Sequence, residues 1–243
     1  MERENNKIPR GINGERIHLE PTLIIAHDLS DAWFQSLKSI MENGHEYVND
    51  RGSYVGIKRK ELDHITVQIL NPGVRPLTPF IPDGIPAPTS EDYIENYLGY
   101  LMTSEKKSNE QYTYGEFIEK QLFEVIRMYK EDGYNTNQAC MAIGDAESIK
   151  LSDPPCLRQI DTRVRYGENG RQRLHFYVYF RSWDLWAGFP TNLGGLQRMK
   201  EFMASEIGVD DGDLIAMSKG LHLYEYAWNW ARTLTGIDKI DKG

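Results

Sequence analysis

The chain has 243 residues, 40% of them hydrophobic and 26% charged, with a formal net charge of -8. That length and balance suit a globular chain able to build its own core, and two cysteines, Cys140 and Cys156, exclude a disulfide framework. The acidic balance argues against non-specific duplex binding, which needs clustered cations, and no apolar run approaches the roughly 20 residues of a membrane span.

Residues 1–20 read as a polar leader without the apolar stretch of a signal peptide, and 21–243 as one catalytic unit, reduced and cytoplasmic. A β-prone run, Pro21–Ala26, precedes a helix with Ser30 at its N-cap and Gly44 beyond its end. Ile65, Val67 and Ile69 alternate with polar partners, which predicts a strand from His64 to Leu70. Six prolines between 71 and 90 predict an ordered loop. Helices are predicted over Glu91–Leu101 and Tyr114–Tyr129, the second with Ile118, Leu122, Val125 and Ile126 on one stripe. A strand at Cys140–Ile143 follows, then two more, Ile160–Tyr166 and Leu174–Phe180, joined hairpin-fashion through Gly167–Gly170. Gly188–Asn192 reads as a turn into a helix over Leu193–Ile207. After a loop at Gly208–Asp213 come a strand, Leu214–Ser218, and a last helix, Glu225–Leu234. Hairpins mixed with helices between strands predict an α/β or α+β layered fold around a mixed sheet.

Four motifs carry chemistry. Asp153-Pro154-Pro155-Cys156 places a thiol on a backbone with few conformations, because each proline ring fixes φ. Such a thiol can add, as thiolate, to an activated carbon–carbon double bond; its plainer reading is a small buried hydrophobe. Arg181-Ser182 offers a planar fork of donors plus a hydroxyl, suited to phosphate, though a single arginine is more often a surface ion pair. Asn192 presents one donor and one acceptor and can pair with a donor–acceptor edge of a planar ligand, or it can cap the helix that starts at Leu193. His222 and Tyr224, one residue apart on a strand, face the same side, as a ligand pair or as a mutually satisfied core pair.

The order Cys, Arg-Ser-x-Asp, Gly-x-Pro-x-Asn, His-x-Tyr resembles the thymidylate synthase family over roughly Tyr114–Trp228, and Tyr179–Gly188 looks most similar to its archaeal branch. The resemblance implies a cytoplasmic homodimeric methyltransferase of nucleotide biosynthesis, acting on dUMP and not on nucleic acid, without a metal. Its carrier would be a reduced pterin, methylene-tetrahydromethanopterin or methylene-tetrahydrofolate. It implies that Cys156 is the nucleophile and that Arg181 sits beside the thiol and lowers its pKa. Arg51, Arg181 and Ser182 would hold the 5′-phosphate, and His222 and Tyr224 the sugar 3′-hydroxyl. Asp184 would lie near base and carrier, and Tyr114 would help move protons at C5. The catalytic carboxylate would be Glu95 rather than Glu91, which suits a first-turn acid.

The chain also departs from that pattern. Leu157 replaces a histidine after the cysteine and Phe180 a glutamine before the arginine. Asn137 and Gln138 stand where the partner subunit usually contributes two arginines, leaving Arg158 as a substitute. The chain ends soon after Trp230, so no C-terminal closing tail is expected. Two alternatives stay open: a (d)UMP or (d)CMP 5-hydroxymethylase, in which water completes the reaction, and a catalytically inactive nucleotide- or RNA-binding protein.

Overall fold

A computed structural model describes residues 18–106, 108, 111–167 and 170–237; the leader at 1–17 lies outside them. Strand β1 (Pro21–Ala26) leads into helix α1 (Leu29–Asn43). Asp28, not Ser30, caps α1 by accepting from Asp31 N at 3.0 Å. Next come β2 (His45–Val48), β3 (Lys58–Leu62), β4 (His64–Ile69), α2 (Glu91–Met102) and α3 (Tyr114–Glu131). Strands β5 (Cys140–Ala142), β6 (Leu157–Tyr166) and β7 (Gln172–Phe180) follow, then the two-residue β8 (Trp183–Asp184). Helix α4 (Gly188–Ile207), β9 (Asp210–Ser218), β10 (Leu221–Tyr224) and α5 (Trp228–Thr235) complete the order.

The strands form two sheets. The larger has the order β1-β4-β9-β7-β6-β5, with β1–β4 and β7–β9 parallel and the remaining pairs antiparallel. It is the mixed sheet the sequence predicts. The smaller runs β2-β3-β10-β8 and was not anticipated. Its first two strands, β2 and β3, read His-Glu-Tyr-Val and Lys-Arg-Lys-Glu-Leu, too polar for a period-2 signal. Alternate residues of the large sheet, such as Ile65, Val67 and Ile69 on β4, are fully buried against the helices.

Helix α4 is buried almost all round through Phe189, Leu193, Leu196, Met199 and Met203, as a central helix requires. It starts at Gly188, five residues before the predicted point. Pro190 falls in the first turn, where a missing N–H costs nothing, and the Asp184 carboxylate accepts from Ala187 N and Gly188 N, each at 3.0 Å. Gly194 and Gly195 let α2 close onto α4: a Cβ on either would meet Ile94 or Tyr97 at 2.7 Å. The proline-rich loop is ordered, as predicted, and Glu91 secures it by accepting from Leu77 N (2.7 Å) and Thr78 N (3.1 Å).

Lys200 on α4 is fully buried. Its ammonium meets Asp211 Oδ1 at 3.0 Å and donates to the Gly212 and Asp213 carbonyls, so β9 begins at Asp210 rather than Leu214. Burial pushes this amine down to about 8 from its ordinary 10.5, against the pull of Asp211. Between those values the unfolded chain holds the proton and the folded chain releases it, so stability rises with pH through that window. Urea denaturation at pH 7.5 to 10.5 should therefore show a rise that Lys200→Met removes; an equal slope in both proteins would refute the assignment.

Candidate active site

Cys156 follows the two prolines just ahead of β6, and Arg181 leaves the end of β7 beside it. Hydrogen bonds donated by this arginine hold the turn: Arg181 N donates to Cys156 O at 2.8 Å, and its Nε donates to Pro155 O at 3.1 Å. Nη2 donates to the Pro154 carbonyl and to Asp153 Oδ1 (3.2 Å). The guanidinium thus satisfies carbonyls that the prolines leave without local donors, and among the described residues no hydrogen bond engages Nη1. Burial pushes the Cys156 thiol up. Arg181 pulls it down, but Asp153 and Asp184 add to the rise, which corrects the expectation of a lowered value.

A cavity of about 590 Å³ opens in front of the thiol. It brings together Arg51, Cys156, Arg181, Ser182, Asp184, His222 and Tyr224 of the predicted set. The carboxylate of Asp184 is the α4 cap already described, and its Oδ1 accepts only one further contact, from Trp186 N at 3.3 Å. His222 Nδ1 lies 3.1 Å from Gly220 O. A carbonyl only accepts, so Nδ1 carries the proton and Nε2 is the acceptor. Burial lowers the His222 pKa, keeping the ring neutral. Tyr224 packs edge-on against it at 4.9 Å and supports Tyr54 at 4.8 Å. Tyr54 stands at φ 59°, a left-handed conformation unusual for a ring-bearing residue, in a loop pinned by Asn49 Nδ2 donating to Ser53 O (2.7 Å).

Three predicted residues lie outside that lining. Asn192 is inside α4, not at its cap; its Oδ1 accepts from Trp183 Nε1 at 3.1 Å and its Nδ2 donates to Tyr97 Oη at 2.7 Å. Tyr114 Oη is buried and accepts from Leu157 N at 3.2 Å. Both Tyr97 and Tyr114 titrate far above the usual phenol range, chiefly through burial, and both feel the charge of Cys156. Glu95 points elsewhere: its carboxylate is 58% exposed and pairs with Arg198 Nη2 at 2.7 Å. Glu91 holds the proline loop. Neither is near the thiol's cavity.

Sequence reasoning missed Lys219, Arg59, Glu61, Tyr54 and Tyr226, which also line the cavity. Lys219 stood inside a quoted motif, but nothing in its spacing distinguished it. A second cavity, about 710 Å³, shares Arg51, Asp153, Arg181 and Lys219 and adds Arg158. Asn137 instead accepts from Arg163 on β6. Among the described residues no group of three His, Cys, Asp or Glu side chains could hold a metal, and no helix is long and apolar enough to cross a membrane.

Because burial opposes the thiolate, alkylation of Cys156 by iodoacetamide should keep accelerating with pH past the usual thiol range. Arg181→Gln should displace that profile further upward; a profile midpoint at or below the usual thiol value would contradict the geometry.

Known proteins resemble this chain in sequence and in fold. A family model described as thymidylate synthase matches residues 90–235, more than half of the chain. A Methanosarcina mazei protein named "Putative thymidylate synthase" is 28% identical over 220 residues, covering 87% of this chain and 94% of that protein. A Methanococcoides burtonii protein of the same name is 28% identical over 229 residues, covering 91% and 95%. The structure of thermostable thymidylate synthase A from Bacillus subtilis superposes with a TM-score of 0.67 at 13% identity, over 87% of this chain and 85% of that one, a likeness of fold. With a thiol held on a rigid turn beside an arginine, and a family model spanning most of the site, the chain belongs to the thymidylate synthase family.

Proposed function

We propose that the protein is a thymidylate synthase, methylating C5 of dUMP to give dTMP. The observation that carries this reading is the convergence of Cys156, Arg181, Ser182, Asp184, His222 and Tyr224 on one cavity, whose volume is in the range of small-ligand sites. Ser182 Oγ, Arg51 and the free Nη1 of Arg181 receive the 5′-phosphate. Lys219 and Arg158 add positive charge from the adjoining cavity, in place of arginines at the positions of Asn137 and Gln138. The Nε2 lone pair of His222 accepts from the sugar 3′-hydroxyl.

Chemistry begins when the Cys156 thiolate adds to C6 and the electron pair of the C5–C6 bond moves towards C5 and O4. The remaining N–H of Asn192 stabilises charge at O4. Once C5 has gained the one-carbon unit it would lose its proton, the unit's bond to its carrier would break, hydride would add to that carbon, and departure of the Cys156 thiolate would restore the C5–C6 double bond. Tyr114 and Tyr97, rather than the outward-facing Glu95, are the protein groups positioned to hold protons there. The reduced pterin carrier, when bound, supplies the one-carbon unit and the hydride. The residues fit such a group: Asp184 lines the cavity and keeps an acceptor site on Oδ1 for a ring N–H. A reduced, cytoplasmic setting suits a mechanism that rests on a free thiol.

The reading includes a homodimer, and the large sheet supports it. Its outer face carries cross-strand rows such as Ile25–Gln68–Ile215–Tyr177, and Leu23 and Ile25 are 68% and 56% exposed. A second copy covering this face would bury them.

Product mass tests the reaction. With dUMP and either methylene-tetrahydrofolate or methylene-tetrahydromethanopterin, dTMP is expected and Cys156→Ala should form none; 5-hydroxymethyl-dUMP would favour the hydroxymethylase. Replacing Arg158 and Lys219 together by Ala should raise KM for dUMP about tenfold without weakening deoxyuridine binding. Ile215→Glu should convert a dimer to monomer in light scattering; a wild-type protein that is already monomeric would overturn the sheet-face contact.

A further inference from the structure

Asn192 has an ambiguity that its neighbours remove. A carboxamide can present its oxygen and nitrogen either way round, and the two orientations suit different bases. Uracil offers an acceptor at position 4 and a donor at N3; cytosine offers a donor at position 4 and an acceptor at N3. The atom of Asn192 that meets Trp183 Nε1 at 3.1 Å must be the oxygen, because an indole N–H only donates. The nitrogen therefore faces Tyr97 Oη, at 2.7 Å. Each amide atom retains one hydrogen-bonding position. Oδ1 lies 3.6 Å from where a Cβ on Gly188 would be, and Gly188 is the neighbour of Ala187 in the cavity wall.

The two neighbours are not equivalent. A phenol can turn its proton and accept or donate, so Tyr97 tolerates either orientation. Trp183 tolerates one. Its ring is held in place by stacking on both faces, against Phe180 (centroids 4.4 Å apart, planes at 6°) and Phe189 (4.3 Å, 18°). Its backbone is fixed as well, with Trp183 N donating to Gly220 O at 3.0 Å. The indole cannot swing aside to admit a reversed amide, which would set two N–H groups against each other in a buried place.

We propose that Trp183 is the specificity-determining positioning residue of this site: by fixing Asn192 in one orientation, it makes the pocket read uracil and reject cytosine. The inference rests on Asn192 contacting the base, as in the function proposed above. It concerns binding, so it can be tested without a carrier.

Calorimetric titration with dUMP and dCMP, on the wild type and on Trp183→Phe, Tyr97→Phe and Asn192→Asp, separates the possibilities. Trp183→Phe keeps the aromatic stack and deletes the N–H. It should lower the dUMP-to-dCMP affinity ratio by about tenfold, one hydrogen bond's worth, at an unfolding temperature near that of the wild type. Tyr97→Phe should weaken both nucleotides and leave the ratio unchanged. If Asn192→Asp shifts the ratio and Trp183→Phe does not, the positioning role is overturned while the base contact stands. If neither shifts it, the base contact falls and the positioning role with it. Should Trp183→Phe fail to fold, Phe189→Leu keeps the indole but loosens one wall of its stack; a lowered ratio supports the proposal and an unchanged ratio overturns it.

Discussion

The contact on which the rest depends is Arg181 against the Pro-Pro-Cys turn. Two consecutive prolines stiffen the backbone but contribute no N–H, so the turn cannot hold itself through local hydrogen bonds. The guanidinium provides that hold from a neighbouring strand, gripping the Pro154 and Pro155 carbonyls and Asp153. The thiol's position is thereby tied to the register of β6 against β7. The same residue brings positive charge to both cavities. A substitution here would loosen the thiol as well as remove a charge, so the two effects arrive together.

The site also depends on partners with only one possible role. A carbonyl that can only accept sets the proton on His222 Nδ1, and an indole that can only donate sets the amide of Asn192. The Asp184 carboxylate, an acceptor, takes the amide N–H groups at the start of α4 and so marks where that helix begins. In each case a group with two chemical options is left with one, and no charged network is needed to do it.

Much of this was readable from the amino-acid order. The alternation in β4, the stripe on α3 and the hairpin of β6 and β7 announce themselves because one face of each is apolar. The motif residues around Cys156, Arg181 and His222 reach one cavity because strand ends place them there. The small sheet was not readable: Lys58-Arg59-Lys60-Glu61 has no apolar alternation, and its pairing with β10 is decided by tertiary contact. The start of α4 was misjudged because Gly188 and Pro190 look like turn residues when the Asp184 cap is out of view. Glu95 was chosen by its place in an aromatic run, but the helix turns that position towards Arg198 and turns Tyr97 inward. Spacing alone does not give the rotation of a helix about its axis when both candidate faces carry aromatic rings.

The cavity in front of the thiol lies along the seam between the two sheets. Cys156 and Arg181 lie at the adjoining ends of β6 and β7 in the large sheet, His222 and Tyr224 on β10 of the small one, and the two-residue β8 is the bridge. The large sheet has a deep apolar face, whereas β2 and β3 are short and mostly polar, so the two should open with different free energies. Amides of the small sheet ought to exchange with solvent well before those of β7 and β9. A ligand that touches both sheets would then close that gap, slowing exchange in β3 and β10 while leaving the already protected strands unchanged. Occupancy of the site would thus be recorded in the cooperativity of the molecule, as two separately melting layers become one.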